Sequence, residues 1–298
     1  MTGRIICLGD IMVDILATLP GPLAPSSDTP APINIKQGGS AANTAVWLTH
    51  CGVHSVFVGK VGADSIGRDA VDQLAAQGVA VQVAIDPSTT TGICIVLVSP
   101  DGERTMVPSA GANDTLSVAD LPDNLPVKVD RLHVSAYALL RAGSRDAALA
   151  MMQRASLVQA PISVDVASAD PIRRTGPDLF LRWIPSAALV IANADEASVL
   201  SGCRAPEHAA ANLATRFAEV VIKCGSRGAI VAANGEIQHI AGAPTDAVDS
   251  TGAGDAFAAG LLAGIHQGHG LMTAVIQANQ FGARAVAQLG ARPGPLAD

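Results

Sequence analysis

The chain has 298 residues, 49% of them hydrophobic, with 26 acidic against 19 basic side chains and a formal net charge of −7. That length supports one large α/β domain or two ordinary ones, and so apolar a chain is a folded one rather than a disordered one. The negative charge, with no Lys/Arg-rich block, argues against a nucleic-acid surface, because duplex binding depends on clustered cations that displace counterions.

In chain order, short β-branched runs alternate with longer Ala/Leu-rich segments of helical spacing. The first strand, Ile5-Leu8, follows Arg4 directly, without the long apolar core of a signal peptide. Helices are predicted over Ala41-His50 and Ile66-Gln77, separated by a strand over Ser55-Val58. Strands over Arg131-Val134 and Ile162-Val166 flank a helix over Ser144-Ala155. Then come a strand over Leu189-Ala192, helices over Glu196-Ser201 and Glu207-Phe217, and strands over Val220-Lys223 and Ala229-Ala232. Helices over Asp255-His266 and Leu271-Gln288 end the series. This rhythm predicts βαβ units and a mostly parallel sheet covered on both faces.

Two stretches break it. A Pro/Ser-rich loop, Pro20 to Pro32, is flanked by Ile15-Leu19 and Ile33-Gln37, and residues 92–108 read as strand, Pro100-Asp101-Gly102 turn, strand. Such β excursions predict a small sheet across one edge of the main domain, drawn from about residues 11–37 and 90–110. No internal repeat and no linker marks a second domain, so 1–298 reads as one unit. Mean hydropathy is +0.35, yet no apolar run nears the ~20 residues that span a bilayer, and the richest, Ala256 to Ile265, is short. The five cysteines are scattered, with no CxxC spacing. Reduced thiols in a cytoplasmic protein with no membrane segment are the expectation.

The most informative segment is Asp249-Ser-Thr-Gly-Ala-Gly-Asp255-Ala-Phe-Ala-Ala-Gly260. Small residues lead into a helix, so several free backbone N–H groups converge at its positive end as an anion site. Asp255 stands in the first turn beside it, where the dipole favours the ionised form that a general base needs. The plainer alternative is an acidic residue that only stabilises its helix. Two more glycine-rich stretches are Gln37-Gly38-Gly39-Ser40-Ala41-Ala42-Asn43, before a helix, and Lys223-Cys-Gly225-Ser-Arg-Gly228, after a strand. Neither fits a dinucleotide fingerprint, and no GxxxxGK[ST] loop exists, so Walker-type NTPases and dinucleotide oxidoreductases are disfavoured.

From Ile5 to about Gly290 the chain strongly resembles the ribokinase/PfkB carbohydrate kinase family. Residues 37–67 (QGGSAANTAVWLTHCGVHSVFVGKVGADSIG) are similar to the family's first signature, and 249–262 (DSTGAGDAFAAGLL) match its second closely. Asn193-Ala-Asp-Glu196 matches the Asn-x-x-Glu element, and residues 223–228 match the nucleotide-loop element. The resemblance implies a ribokinase-like three-layer α/β/α domain with a small β-sheet lid. It implies an ATP- and Mg²⁺-dependent kinase acting on an alcohol of a small sugar or nucleoside. A catalytically silent ligand-binding protein on the same scaffold is the rival, and the intact Asp255, Asn193 and Glu196 argue against it.

Carried over by position, Asp255 becomes the catalytic base and the amides of Gly252, Ala253 and Gly254 the anion hole. Asp14, Gly38, Gly39 and Asn43 bind the acceptor, since a carboxylate and a carboxamide suit vicinal hydroxyls and glycines admit close approach. Asn193 and Glu196 organise the phosphates and Mg²⁺, with Glu196 acting through water, while Lys223, Gly225 and Gly228 serve the nucleotide. Helix capping is the plainer reading of Glu196. Asn279 resembles a position near the adenine, with surface polarity the alternative. Asp249 and the backbone near Gly290 resemble a monovalent-cation (K⁺) loop. Asp10 is left to a structural role at the end of the first strand.

The chain departs from the commoner family pattern at Asp165-Val-Ala-Ser-Ala-Asp170, which leaves the roles of Asp165 and Asp170 open. The lid's exposed face is a candidate for pairing two subunits. A phosphosugar would need Arg or Lys near the acceptor; Lys36 and Arg104 are the only candidates on the sequence, and both read as solvated lid charges. An unphosphorylated sugar is therefore expected first and a nucleoside second, with Tyr137 the best candidate for a wall against a base, or else a packing residue.

Overall fold

A computed structural model describes residues 3–128 and 130–294; residues 1, 2, 129 and 295–298 of the expected single domain lie outside the described residues. Among the described residues thirteen strands form two sheets. The larger has nine strands, built from β1 (Ile5–Leu8), β4 (Ser55–Gly62), β5 (Ala80–Asp86), β8 (Arg131–Ser135), β9 (Ile162–Asp165), β10 (Leu189–Asn193), β11 (Glu219–Lys223), β12 (Ala229–Ala233) and β13 (Glu236–Ile240). Their order is β13-β12-β11-β10-β9-β8-β1-β4-β5, parallel from β5 to β11, with β12 and β13 antiparallel at one edge. The smaller sheet, β3-β2-β6-β7, comprises β2 (Met12–Thr18), β3 (Ile33–Gly38), β6 (Gly92–Val98) and β7 (Arg104–Ser109).

The ten helices are α1 (Ser40–His50), α2 (Ser65–Ala76), α3 (Tyr137–Leu140), α4 (Ala142–Leu157), α5 (Ala169–Thr175), α6 (Pro177–Trp183), α7 (Ala194–Ser201), α8 (Pro206–Leu213), α9 (Ala253–His266) and α10 (Leu271–Val286) among the described residues. Alternation along each strand sends successive side chains to opposite faces. On β1, Ile6 and Leu8 pack with α3 to α8, through residues such as Leu139, Met151, Phe180, Ala197 and Leu213. Ile5 and Cys7 pack with α1, α2, α9 and α10, through Ala45, Leu48, Leu74, Leu261 and Ala278. The sheet is therefore covered on both faces, as its all-apolar strands require. The small residues of α9 allow α1 and α10 to approach it closely, and all but its first and last turns are buried.

Every predicted strand and helix is present, and the prediction omits five. Strand β5 carries alternating Val81, Val83 and Ile85 at an edge, half in solvent, and β13 is nearly all exposed; such edges carry little apolar signal. Helices α3, α5 and α6 are four to seven residues long, too short to display a full amphipathic period. Helix α8 ends at Leu213, four residues before the expected Phe217.

The described chain returns at its end to the middle of the molecule. Trp47, on α1 and 3% exposed, donates from Nε1 to the Ala291 carbonyl at 2.9 Å and packs edge-on to Phe281 of α10. Trp47→Phe keeps most of the packing but strands that carbonyl, so equilibrium unfolding should show a loss of about 1–3 kcal/mol; an unchanged denaturation midpoint would mean that the bond contributes nothing.

Candidate active site

A cleft of about 1100 Å³ runs between the carboxyl ends of the parallel strands and the four-stranded sheet. Open α/β sheets place ligands at that edge. It is lined by residues from every motif singled out above, including Asp14, Gly39, Asn43, Asn193, Glu196, Lys223, Gly225, Gly228, Asn279 and the 252–255 turn. Sequence segments more than two hundred residues apart thus meet in one place.

The turn into α9 is the centre of it. Gly252 is left-handed, with φ 73°, and a Cβ there would lie 2.5 Å from the Ala291 carbonyl oxygen, so only glycine fits. Among the described residues, the amides of Gly252, Gly254 and Asp255 have no acceptor, while that of Ala253 reaches Ser250 O at 3.3 Å. Of the three amides expected to form an anion hole, those of Gly252 and Gly254 are thus without an acceptor beside the cleft, and that of Ala253 is engaged. The Thr251 hydroxyl beside them is buried and also unpartnered.

Asp255 is held from α1: Ser40 Oγ donates to Oδ1 at 2.8 Å and Asn43 Nδ2 to Oδ2 at 2.9 Å. Burial pushes its carboxyl up to about 7, against the opposing pull of these two hydrogen bonds. Lys223, at the end of β11, donates to Asp165 Oδ2 at 2.7 Å; its Nζ would be 3.2 Å from a Cβ at Gly254, so a cation stands under the turn into α9. Asp165, left open by the sequence, is thereby the partner of Lys223. Asp170 is exposed and pairs with Arg173.

On the opposite wall Asp14 and Asp10 are both buried. Desolvation, then the nearby Asp10 charge, raises the Asp14 carboxyl to about 6. Asp10 lines the cleft and its Oδ1 has no partner among the described residues, while its backbone carbonyl accepts from Ala42 N at 3.3 Å. Gly39 has φ 93°, and a Cβ there would lie 2.5 Å from the Asp10 carbonyl oxygen.

Asn193 and Glu196 form a reciprocal cap on α7. Asn193 Oδ1 accepts from Glu196 N at 2.8 Å, and the two carboxylate oxygens of Glu196 accept from Asn193 N and Nδ2, each at 2.7 Å. The capping alternative for Glu196 is thus realised, while the side chain still lines the cleft; burial raises its carboxyl to about 7. Asn279 is not surface-polar: 8% exposed, it donates to Ala241 O at 2.9 Å and holds the segment after β13 against α10. Gly225 and Gly228 bracket the turn between β11 and β12.

Two expectations about cations need correction. Arg104 is not a solvated lid charge: it pairs with Asp249 at 2.6 Å, and that carboxylate also accepts from Thr251 N and Gly290 N. Nor are Lys36 and Arg104 the only cations near the acceptor residues. Arg141 and Arg174 line the cleft, and Arg292 bonds Asn43 Oδ1 and Gly38 O at 2.9 Å each. Spacing could not show this, because Arg292 lies 249 residues from Asn43. Lys36 is exposed at the rim, as expected.

The model of the pfkB family carbohydrate kinases matches residues 2–297. Fructokinase of Klebsiella pneumoniae is 33% identical over 284 residues, covering 91% of this chain and 87% of that protein. The ATP-dependent ribose-1-phosphate kinase of Halopiger xanaduensis is 31% identical, covering 99% and 96%. Aminoimidazole riboside kinase from Salmonella enterica, complexed with aminoimidazole riboside and an ATP analogue, superposes with TM-score 0.80 at 27% identity, covering 97% of this chain and 95% of that one. A parallel sheet closed by a lid over such a cleft is the ribokinase-like architecture, that of a nucleotide-using small-molecule kinase. The chain belongs to the pfkB family of carbohydrate kinases, enzymes that phosphorylate sugars or nucleosides.

The Lys223–Asp165 pair is the most enclosed ion pair at the cleft floor, with side chains 15% and 6% exposed. Lys223→Met should cost about 3 kcal/mol of stability by leaving Asp165 buried and uncompensated. Adding Asp165→Asn should recover part of it in the same denaturation assay; a double variant no more stable than the single one would assign the loss to packing.

Proposed function

We propose that this chain transfers the γ-phosphoryl group of ATP to a hydroxyl of a small unphosphorylated sugar, with Asp255 as the base. The observation that carries this reading is the meeting of a carboxylate raised to about 7 with three unpartnered amides at one helix start. The acceptor oxygen would bond to the γ-phosphorus as the bond to the ADP oxygen breaks. The hydroxyl proton would pass to Asp255, and the amides of residues 252–255 would receive the charge on the transferring group.

Asp14, Gly38, Gly39 and Asn43 form the acceptor wall in this reading, joined by Asp10. Two buried carboxylates favour a ligand rich in hydroxyl donors and disfavour a phosphate beside them. Of the nearby cations, Arg104 and Lys223 are already paired with carboxylates. A nucleoside is the second reading, because Tyr137 lines the cleft, although Arg141 sits over its ring at 5.3 Å.

Lys223, Gly225, Gly228, Asn193, Glu196 and Asn279 form the nucleotide side. The buried, unpartnered Thr251 hydroxyl and free amides suit phosphate oxygens. Among the described residues no three His, Cys, Asp or Glu side chains cluster as a metal site, which fits Mg²⁺ held chiefly by water and phosphate with Glu196 behind a water. When bound, Mg²⁺ would neutralise phosphate charge. At Asp249 a guanidinium already faces the carboxylate, so K⁺ would be held by carbonyls of the same loop.

The lid exposes apolar side chains, Ile33 at 65% and Ile35 at 69% among them, which supports a homodimer formed through this sheet. Five free thiols fit a cytoplasmic location, and no described helix is long and apolar enough to cross a membrane.

Asp255→Asn keeps the size and removes the basicity, so kcat should fall at least ~10²-fold with little change in ATP affinity. In the unmodified enzyme kcat/KM should fall as pH drops below about 7, because protonation of Asp255 removes the acceptor for the hydroxyl proton. Near-normal turnover of the variant would rule out Asp255 as the base. For the acceptor, initial rates on ribose, fructose, adenosine, cytidine and pseudouridine should exceed those on fructose 1-phosphate and fructose 6-phosphate. A higher kcat/KM for a phosphorylated sugar would make Arg141, Arg174 or Lys36 its ligand instead.

A further inference from the structure

Arg292 belongs to none of the sequence motifs, yet it reaches the centre of the site. Its Nε donates to Asn43 Oδ1 and its Nη2 to the Gly38 carbonyl, both at 2.9 Å. The other end of the same carboxamide donates to Asp255 Oδ2 at 2.9 Å. The guanidinium is half-buried, makes no ion pair among the described residues, and lies behind Asn43 and Gly38 rather than among the residues that line the cleft. We propose that Arg292 is a positioning residue for phosphoryl transfer, which locks the Asn43 carboxamide with its nitrogen turned to Asp255. The proposal rests on the reading of Asp255 as the base.

The chemistry of the three groups permits only one arrangement. A guanidinium is a donor with no acceptor, and Asp255 in the ionised form that acts as base is an acceptor with no donor. An amide between them must give its oxygen to the first and its NH₂ to the second. Turned over, it would set NH₂ against guanidinium and oxygen against carboxylate, losing two hydrogen bonds and adding two repulsions. Without Arg292 nothing else described accepts or donates at Asn43 Oδ1, so the amide could turn and Asp255 would lose its second anchor.

The segment is itself held. Trp47 grips the Ala291 carbonyl, and Gln288 Nε2 donates to Arg292 O at 3.1 Å. Burial lowers the Arg292 guanidinium to about 10, with Asp14 and Asp255 opposing that shift. Asp255 is also faced by Asp165, Lys223 and Tyr137, but none of these is hydrogen-bonded to Asn43.

The test is a double-mutant cycle on the full chain, with ribose or whichever acceptor proves best. Arg292→Met should lower kcat about 10- to 100-fold, the range expected for a misplaced reacting group, with KM for ATP changed less than about twofold. Arg292→Lys should recover part of the rate, as it keeps the charge and one donor. In an Asn43→Ala background Arg292→Met should cause no further loss, because the group it acts through is gone. Equal losses with and without Asn43 would overturn the proposal, as would a kcat within about twofold of the parent. If Arg292→Met fails to fold, judged by melting and ADP binding, the cycle run with Arg292→Lys makes the same decision. Asp255→Asn in parallel separates the two readings: an active Asp255→Asn enzyme removes the base assignment, whereas an inactive one beside an unaffected Arg292→Met enzyme removes only the role of Arg292.

Discussion

Two hydrogen bonds, from Ser40 and Asn43 to the two oxygens of Asp255, join the start of α1 to the start of α9. They cross more than two hundred residues of chain and fix one carboxylate relative to both signature turns. Everything else near the cleft serves the same geometry. Gly252 has no room for a side chain because Ala291 closes against it, and α9 can lie deep in the molecule because its residues are small. Burial opposes charge on Asp255 while the hydrogen bonds from Asn43 and Ser40 favour it, and the balance raises the carboxyl to about 7.

The electrostatics of the cleft follow a simple division. Carboxylates crowd both walls, and burial raises those of Asp14, Glu196 and Asp255. Three of the cations near them are tied to something: Lys223 to Asp165, Arg104 to Asp249, Arg292 to Asn43 and Gly38. The ammonium under the turn into α9 is not free to wander, because Asp165 holds it. Reacting groups gain when their positions are settled before substrate arrives. The lid takes part as well, since the Arg104–Asp249 pair connects strand β7 to the loop that leads into the turn.

Much of this was legible in the residues. Parallel strands buried on both faces are largely apolar, so β1, β10 and β11 and the helices between the strands announce themselves. The edges β5 and β13 and the short helices α3, α5 and α6 carried no comparable signal, because half-exposed or very short elements need little pattern. Glu196 shows that two readings of one residue can both hold: it caps α7 and faces the cleft at once.

By itself the sequence determined the fold class and the order of the motifs, since these depend on local periodicity and on turns a few residues long. Only the tertiary structure decided the partners. That Asp165 neutralises Lys223, that Asp10 lines the cleft with one oxygen unpartnered among the described residues, that Arg104 leaves solvent for Asp249, and that Arg292 reaches Asn43 across 249 residues are all consequences of how the sheet brings distant loops together. An isolated charged side chain has the same letter whether it is solvated or buried; its role is set by what the fold places within hydrogen-bond reach.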